Sequence, residues 1–145
     1  MVDGVIWIHL AATLFLTGLI WVIQIVHYPL LDRSAGESFP TLHRDHTRRI
    51  TLVVVPPMLV ELATACWLVA RPPAGTPAAL PLIGLVLLGV VWLSTFALQV
   101  PEHKRLADGF DHAAHRRLVQ SNWIRTSAWS LRAAVALAIA VTATG

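Results

Sequence analysis

Histidine is the residue type in this chain whose number and spacing point most clearly to chemistry. The 145 residues include seven histidines, and four of these form two His-x-x-His motifs. The motifs pair His43 with His46 and His112 with His115. Residues three positions apart lie on one face of a helix, so each motif can direct two imidazoles toward one point. Imidazole is a good ligand for iron, copper and zinc, and the motifs therefore predict a metal site.

Two further histidines and one acid complete the predicted set of metal ligands. His27 and His103 each precede one of the motifs, and Glu102 adjoins His103. Carboxylate ligands favour iron or zinc over copper, so iron is the preferred metal, with copper or zinc as alternatives. We expect the site to hold one or two ions. The principal ligands are expected to be His27, His46, His103 and His115, with His43, His112 and Glu102 as further or supporting ligands.

Three charged residues lie inside apolar stretches of the sequence, namely Glu61, Arg125 and Arg132. Ionisable residues within a membrane are candidate functional groups by default, and we predict these three as catalytic residues. The two arginines are suited to hold a carboxylate, a quinone oxygen or a phosphate. An unpaired buried charge is costly, so Glu61 is expected to pair with Arg132. The pair would serve equally well to orient two helices without taking part in chemistry.

His9 lies within the first apolar stretch and suggests a different cofactor. A neutral imidazole in an apolar pocket is suited to be an axial ligand of haem, so haem bound by His9 is an alternative to a bare metal ion. His9 is also interpretable as a hydrogen-bonded packing residue. The other six histidines have a simple interpretation too, because polar and aromatic side chains commonly mark the ends of membrane spans.

The elements that must position these groups are four apolar stretches. The chain is 56% hydrophobic and 13% charged, whereas soluble proteins have about 25% charged residues. This composition excludes a disordered chain and disfavours a soluble domain or a nucleic-acid partner. A membrane span needs about 20 apolar residues. We therefore predict an all-α fold over residues 1–145, a bundle of four transmembrane helices with spans at about 5–31, 50–70, 80–100 and 122–144.

The two halves of the chain resemble each other. In each half a glutamine is followed by a histidine, a loop, a His-x-x-His motif and an apolar span. We predict two parallel helical-hairpin repeats over about 1–72 and 78–145. Such a repeat would bring six of the seven histidines to one membrane face. Gln24, Gln99 and Asn122 would then be placed to hydrogen-bond the imidazoles.

The basic residues predict the orientation of the chain in the membrane. The loops that follow the first and third spans hold eight Lys and Arg residues, whereas the loop between the second and third spans holds only Arg71. Positively charged loops stay in the cytoplasm, which places both termini outside. We expect a multi-pass protein of the bacterial inner membrane, surrounded by lipid. A homo-oligomer or a redox partner would be consistent with its small size.

Some segments resemble known membrane families. The segment Trp7-Ile-His9-Leu-Ala-Ala, with Pro29-Leu-Leu at the end of the first span, resembles the opening of the HemJ-type protoporphyrinogen oxidases. That resemblance implies four spans, haem bound by His9 and an oxidase reaction. The four-span layout is similar to that of the anthrone-oxygenase-like membrane proteins. The segments Phe96–His103 and Asn122–Thr126 resemble a recurring family of bacterial four-span membrane proteins.

Three functions are consistent with these residues. The first is a membrane metalloprotein, an oxidoreductase that acts on a lipid-soluble substrate at the cytoplasmic end of the bundle. The second is a haem- or quinone-binding membrane subunit without chemistry of its own. The third is a small transporter of protons or metal ions, which needs a continuous polar path. The apolar sequence between Ala63 and Trp92 disfavours that path, and the first function is preferred.

Overall fold

The computed structural model describes residues 2–33 and 36–144, and this part of the chain contains no strand. The terminal residues Met1 and Gly145, which belong to the predicted repeats, lie outside the described residues. In chain order the helical segments are α1 (Val2–Val22), a first π-helical segment (Ile23–His27), α2 (Tyr28–Asp32), α3 (Phe39–Ala70), α4 (Ala79–Ser94), a second π-helical segment (Thr95–Gln99), α5 (Val100–Leu106) and α6 (His112–Thr144).

These segments form four spans that are long and apolar enough to cross a membrane. The spans are Gly4–Asp32, Phe39–Ala70, Ala79–Leu106 and His112–Thr144. The predicted all-α bundle of four transmembrane helices is therefore confirmed, and the chain is a multi-pass membrane protein. Large apolar side chains cover its outer surface, as expected where the surrounding solvent is lipid; Leu52 is 70% exposed and Leu93 is 71% exposed.

The four long helices form a closed ring of neighbours. Helix α1 packs against α3, α3 against α4, α4 against α6, and α6 against α1. Helices α3 and α6 therefore occupy opposite corners of the bundle. Apolar side chains such as Leu16, Val91 and Trp129 fill the space between the helices. Polar residues on the inner faces of α3 and α6 can meet only at the centre of the bundle.

The first and third spans each contain a π-helical turn just before a proline. One turn precedes Pro29 and the other precedes Pro101. Proline has no N–H group and its ring crowds the carbonyl four residues earlier, so regular α-helical bonding is interrupted and the turn widens. The prolines lie 72 residues apart, whereas the His-x-x-His motifs lie 69 residues apart. Both halves therefore have a π-helical turn before a proline, but their polar residues do not superpose position by position.

Helices α3 and α6 both begin before the start that hydropathy predicts for their spans. Helix α6 begins at His112, directly after a capping residue, Asp111. The Oδ1 atom of Asp111 accepts hydrogen bonds from the backbone N–H groups of Ala113 at 2.7 Å and Ala114 at 3.1 Å. The hydrogen bonds from Ala114 and Ala113 lower the pKa of Asp111 because they stabilise its carboxylate. The second motif thus lies in the first turns of a capped helix, and the first motif lies near the start of α3.

Candidate functional site

Four imidazoles meet at one end of the bundle. The rings of His27 and His46 stack with centroids 3.9 Å apart and planes inclined by 20°. In a second pair, Nε2 of His43 lies 3.2 Å from Nδ1 of His103. His103 also lines one cavity together with His27 and His46, so the two pairs lie side by side. We call these residues, which come from the first three spans, the four-histidine cluster.

Two ring nitrogens of the four-histidine cluster are buried without a hydrogen-bond partner among the described residues. They are Nε2 of His27 and Nδ1 of His43. Buried polar atoms in proteins almost always have a partner, and an orphan nitrogen is unfavourable. These two nitrogens of the four-histidine cluster therefore lack the hydrogen bond or metal bond that each could form.

The positions of the imidazole rings include one nitrogen pair at a spacing that suits a metal ion, but no complete metal site. As the side chains stand, residues 2–33 and 36–144 contain no group of three or more His, Cys, Asp or Glu that is arranged to hold a metal ion. The 3.2 Å separation of the nitrogens in the His43–His103 pair is, however, close to that of two nitrogens on one tetrahedral ion. That separation is roughly 3.3 Å for metal–nitrogen bonds of about 2.0–2.1 Å. An ion would replace this hydrogen bond and would need ring rotations to gain further ligands.

The second His-x-x-His motif does not join the four-histidine cluster. Nε2 of His115 lies 3.0 Å from the carbonyl oxygen of Tyr28. The Nδ1 atoms of His112 and His115 are each 3.9 Å from Oδ1 of Asp32. The cause is packing, because the first turns of α6 contact α2 and the end of the first span. The predicted convergence of six histidines is therefore corrected to four.

Glu102 also lies apart from the four-histidine cluster. Arg117 binds both of its oxygens, with Nε 2.9 Å from Oε1 and Nη2 3.1 Å from Oε2. Arg105 donates a further hydrogen bond to Oε1 at 3.1 Å. A guanidinium that binds a carboxylate through two parallel hydrogen bonds is among the stronger polar contacts in proteins. The prediction of Glu102 as a metal ligand is corrected accordingly, since its carboxylate is already engaged by arginines.

Glu61 and Arg132 form the predicted pair at the centre of the bundle. Nε of Arg132 donates to Oε1 of Glu61 at 2.9 Å, and both side chains are buried. Glu61 also accepts hydrogen bonds from Thr13 at 2.9 Å and from Trp129 at 3.1 Å. Nη1 of Arg132 donates to the carbonyl of Gly84. The pair therefore connects all four spans, a geometry that favours the structural role over the catalytic one.

His9 is buried between α1 and α3, with Nδ1 2.9 Å from Oγ1 of Thr64. The Thr64 hydroxyl also lies 2.8 Å from the carbonyl of Val60, and when it donates there, Nδ1 of His9 is the donor in the first contact. Nε2 then carries the lone pair, which is the tautomer that an axial haem ligand requires. Haem ligation by His9 stays a prediction.

A cavity of about 310 Å³ opens beside the four-histidine cluster, and His27, His46 and His103 form part of its lining. Two of its wall residues, Val55 and Phe96, are 40% and 62% exposed on the outside of the bundle. In a membrane protein that outer surface faces lipid, so we call this space the lipid-facing cavity. Its apolar wall is formed by Ile23, Ile50, Val54, Val55, Met58, Phe96 and Val100.

Arg125 brings a positive charge into the lining of the lipid-facing cavity. Its Nη1 atom donates to Oδ1 of Asn122 at 3.2 Å, and its guanidinium lies 5.2 Å from the ring centroid of Trp129. Asn122 in turn donates to Oε1 of Gln24 at 2.7 Å. Gln24 and Asn122 were expected to hydrogen-bond the imidazoles, but in the structure they orient Arg125.

Two cavity residues, Tyr28 and Trp92, were not predicted as part of a site. The hydroxyl of Tyr28 donates to Gln99 at 3.3 Å, and Gln99 also donates to Ser121 at 2.7 Å. Trp92 could have been identified from the sequence, because it lies on the same helical face as two polar residues, Thr95 and Gln99. The direction of Tyr28 had no such signal, since it follows a π-helical turn that regular helical spacing does not describe.

No family model, curated protein or solved structure matches the chain. The fold and the site themselves define its class, a four-span helical membrane protein with imidazoles and a guanidinium lining a cavity between its spans. The resemblances to HemJ-type oxidases and to anthrone-oxygenase-like proteins stay predictions from the sequence.

Proposed function

We propose that this protein is a membrane metalloprotein that acts as an oxidoreductase on a lipid-soluble molecule. One observation carries the proposal: His27, His46 and His103 lie in the lining of a cavity that also has an apolar wall. An ion held by these rings would adjoin a molecule that enters from the bilayer. His43 completes the ligand set through its 3.2 Å contact with His103.

The ligand set narrows the choice of metal. Imidazole suits iron, copper and zinc. The preference for iron over copper depended on a carboxylate ligand, Glu102, and that carboxylate is engaged by Arg117 in the structure. Iron and copper are therefore equal candidates, and zinc has no redox chemistry to offer an oxidoreductase. We propose one ion per chain, because the second His-x-x-His motif lies apart from the four-histidine cluster.

We place the four-histidine cluster at the cytoplasmic side of a bacterial inner membrane. The cluster lies at the end of the bundle that carries the basic loops, with residues such as Arg44, Arg48 and Lys104. Basic loops remain in the cytoplasm, and both termini would then be outside. A soluble redox partner, or a second copy of the chain, would have access to the cluster from that side.

A binding subunit without its own chemistry is the second candidate. It is favoured by the direct hydrogen bond between His43 and His103, which satisfies both nitrogens without an ion. In this case the lipid-facing cavity would hold a quinone, or haem would bind elsewhere at His9. The transporter gains no such support, because Ile6, Leu68 and Ile139 form an apolar cluster at the opposite end of the bundle.

Metal analysis and electron paramagnetic resonance test the oxidoreductase directly. Protein expressed with iron, copper and zinc in the medium is expected to retain about one iron or copper ion per chain, measured by mass spectrometry. Adding a lipid-soluble quinol should abolish the Cu(II) or Fe(III) signal, with each quinol giving one electron to each of two ions and releasing two protons. Bound zinc, no bound metal, or an ion that the quinol leaves oxidised would contradict the proposal. Quinone binding by metal-free protein would then support the second candidate.

A further inference from the structure

Arg125 is a buried cation without an anion to balance it. The residue is only 8% exposed and lines the lipid-facing cavity. Within the described residues it forms no salt bridge, and its buried Nε atom has no hydrogen-bond partner. The other buried arginine, Arg132, is paired with Glu61 at 2.9 Å. Because an uncompensated buried charge is strongly unfavourable, Arg125 marks an incomplete site.

The lining of the lipid-facing cavity contains donors but no acid. None of its residues is Asp or Glu. Nε1 of Trp92 belongs to a residue of the same lining and is also buried without an acceptor among the described residues. An indole N–H can only donate, and a guanidinium carries only donors. A partner for either group must therefore supply oxygen acceptors, and a partner that balances Arg125 must also carry a negative charge.

We infer that the lipid-facing cavity binds a single-chain, lipid-soluble carboxylic acid, with its carboxylate on Arg125 and its chain against the apolar wall. A carboxylate matches the fork of a guanidinium and balances one positive charge. The volume of about 310 Å³ is at the lower end of the range for ligand pockets, about 300–1,000 Å³, which suits one chain rather than a diacyl lipid. The inference rests on the proposed function only in taking this cavity as the substrate site.

Binding of radiolabelled dodecanoate to the protein in phosphatidylcholine nanodiscs tests this inference, with empty nanodiscs as the background. We expect saturable binding of one dodecanoate per chain. Dodecanol lacks the charge and dodecylamine has the opposite charge, so both should compete at least tenfold more weakly. Dodecanol that competes as well as dodecanoate itself would overturn the inference, and this comparison needs no variant.

Variants of Arg125 test the residue itself. Arg125→Met should weaken dodecanoate binding at least tenfold, and Arg125→Lys should weaken it less because the charge is kept. Arg48→Met is the matched control, since Arg48 is exposed and lies outside the cavity lining. Unchanged affinity in a folded Arg125→Met protein, or an equal loss in Arg48→Met, would overturn the inference. Should Arg125→Met fail to fold, the ligand series on the unaltered protein still decides.

Two further titrations distinguish a free acid on Arg125 from an acid held by a metal ion and from a lipid phosphate. The dodecanoate titration is repeated after chelator treatment, and retained binding supports recognition by Arg125 even if the proposed metal site fails. Loss of binding on chelation would show that an ion holds the carboxylate and would overturn the inference. The titration is also repeated in phosphatidylglycerol nanodiscs. Retained binding supports a free acid, whereas displacement would identify a bilayer phosphate as the occupant and overturn the assignment.

Discussion

Replacing His103 with alanine is expected to lower the metal content of the purified protein at least tenfold, whereas His112→Ala should leave it unchanged. His103 contacts His43 and lines the lipid-facing cavity. The side chain of His112 is 79% exposed and lies near Asp32. Both histidines belong to the ligand set predicted from the sequence, so the comparison separates a four-histidine site from a six-histidine site. Metal content is measured by mass spectrometry at equal protein concentration.

The same experiment needs a check on folding and a second ligand. Helical content by circular dichroism and elution as one species should be the same for both variants. His46→Ala is expected to behave like His103→Ala, because both residues line the cavity. An equal loss of metal in His112→Ala and His103→Ala would contradict the four-histidine cluster and restore the arrangement of six ligands.

Glu61→Leu is expected to lower the free energy of unfolding by about 3–5 kcal/mol, because it leaves a buried guanidinium without its partner. Glu61 accepts hydrogen bonds from Arg132 and Thr13 at 2.9 Å and from Trp129 at 3.1 Å. All of these are lost together, and they come from two different helices. The thermal unfolding midpoint in detergent should fall steeply.

The double variant Glu61→Leu/Arg132→Met distinguishes the contribution of the ion pair to stability from that of side-chain packing. Replacing both members of a buried ion pair by apolar residues is often close to neutral, so we expect the double variant to regain most of the lost stability. Its metal content should equal that of the unaltered protein, since neither residue lines the lipid-facing cavity. A folded double variant that stays as unstable as Glu61→Leu would contradict the structural role of the pair.

The architecture could be predicted from the sequence because the bilayer allows few solutions. Long apolar stretches that must satisfy their backbone hydrogen bonds internally become helices, and their length fixes where they cross. Hydropathy alone does not locate the starts of α3 and α6, whereas a capping residue such as Asp111 marks such a start in the sequence. Hydropathy detects only the apolar part of each helix, whereas α3 begins at Phe39 and α6 begins at His112 beside its Asp111 cap. Polar helix extensions leave no hydropathy signal.

The ion pair at the centre of the bundle could also be predicted. Glu61 and Arg132 are opposite charges at similar depth in apolar helices, and each is costly unless it meets the other. The structure joins them at 2.9 Å. Chemistry alone was enough for this prediction, because the membrane interior offers a buried charge few alternatives.

The candidate site could be predicted only in part. The motif spacing correctly placed His43 and His46 on one helical face, but it could not say which neighbour that face would meet. That choice depends on the π-helical turns and on the short helices α2 and α5, which set the direction of each span end. His115 contacts the backbone of Tyr28 at the end of the first span. Two motifs that look alike in sequence therefore have different neighbours. Arg125 was predicted as a functional residue, but its isolation from any acid became visible only in the folded chain.

X-ray absorption at the metal edge tests the central claim most directly, namely that imidazoles from three spans bind one ion beside the lipid-facing cavity. Protein loaded with one equivalent of copper or iron should show three or four nitrogen neighbours at about 2.0–2.1 Å, with the outer-shell scattering of imidazole. That scattering should decrease in His103→Ala. A shell of oxygen atoms without imidazole scattering, or a spectrum that His103→Ala leaves unchanged, would contradict the claim.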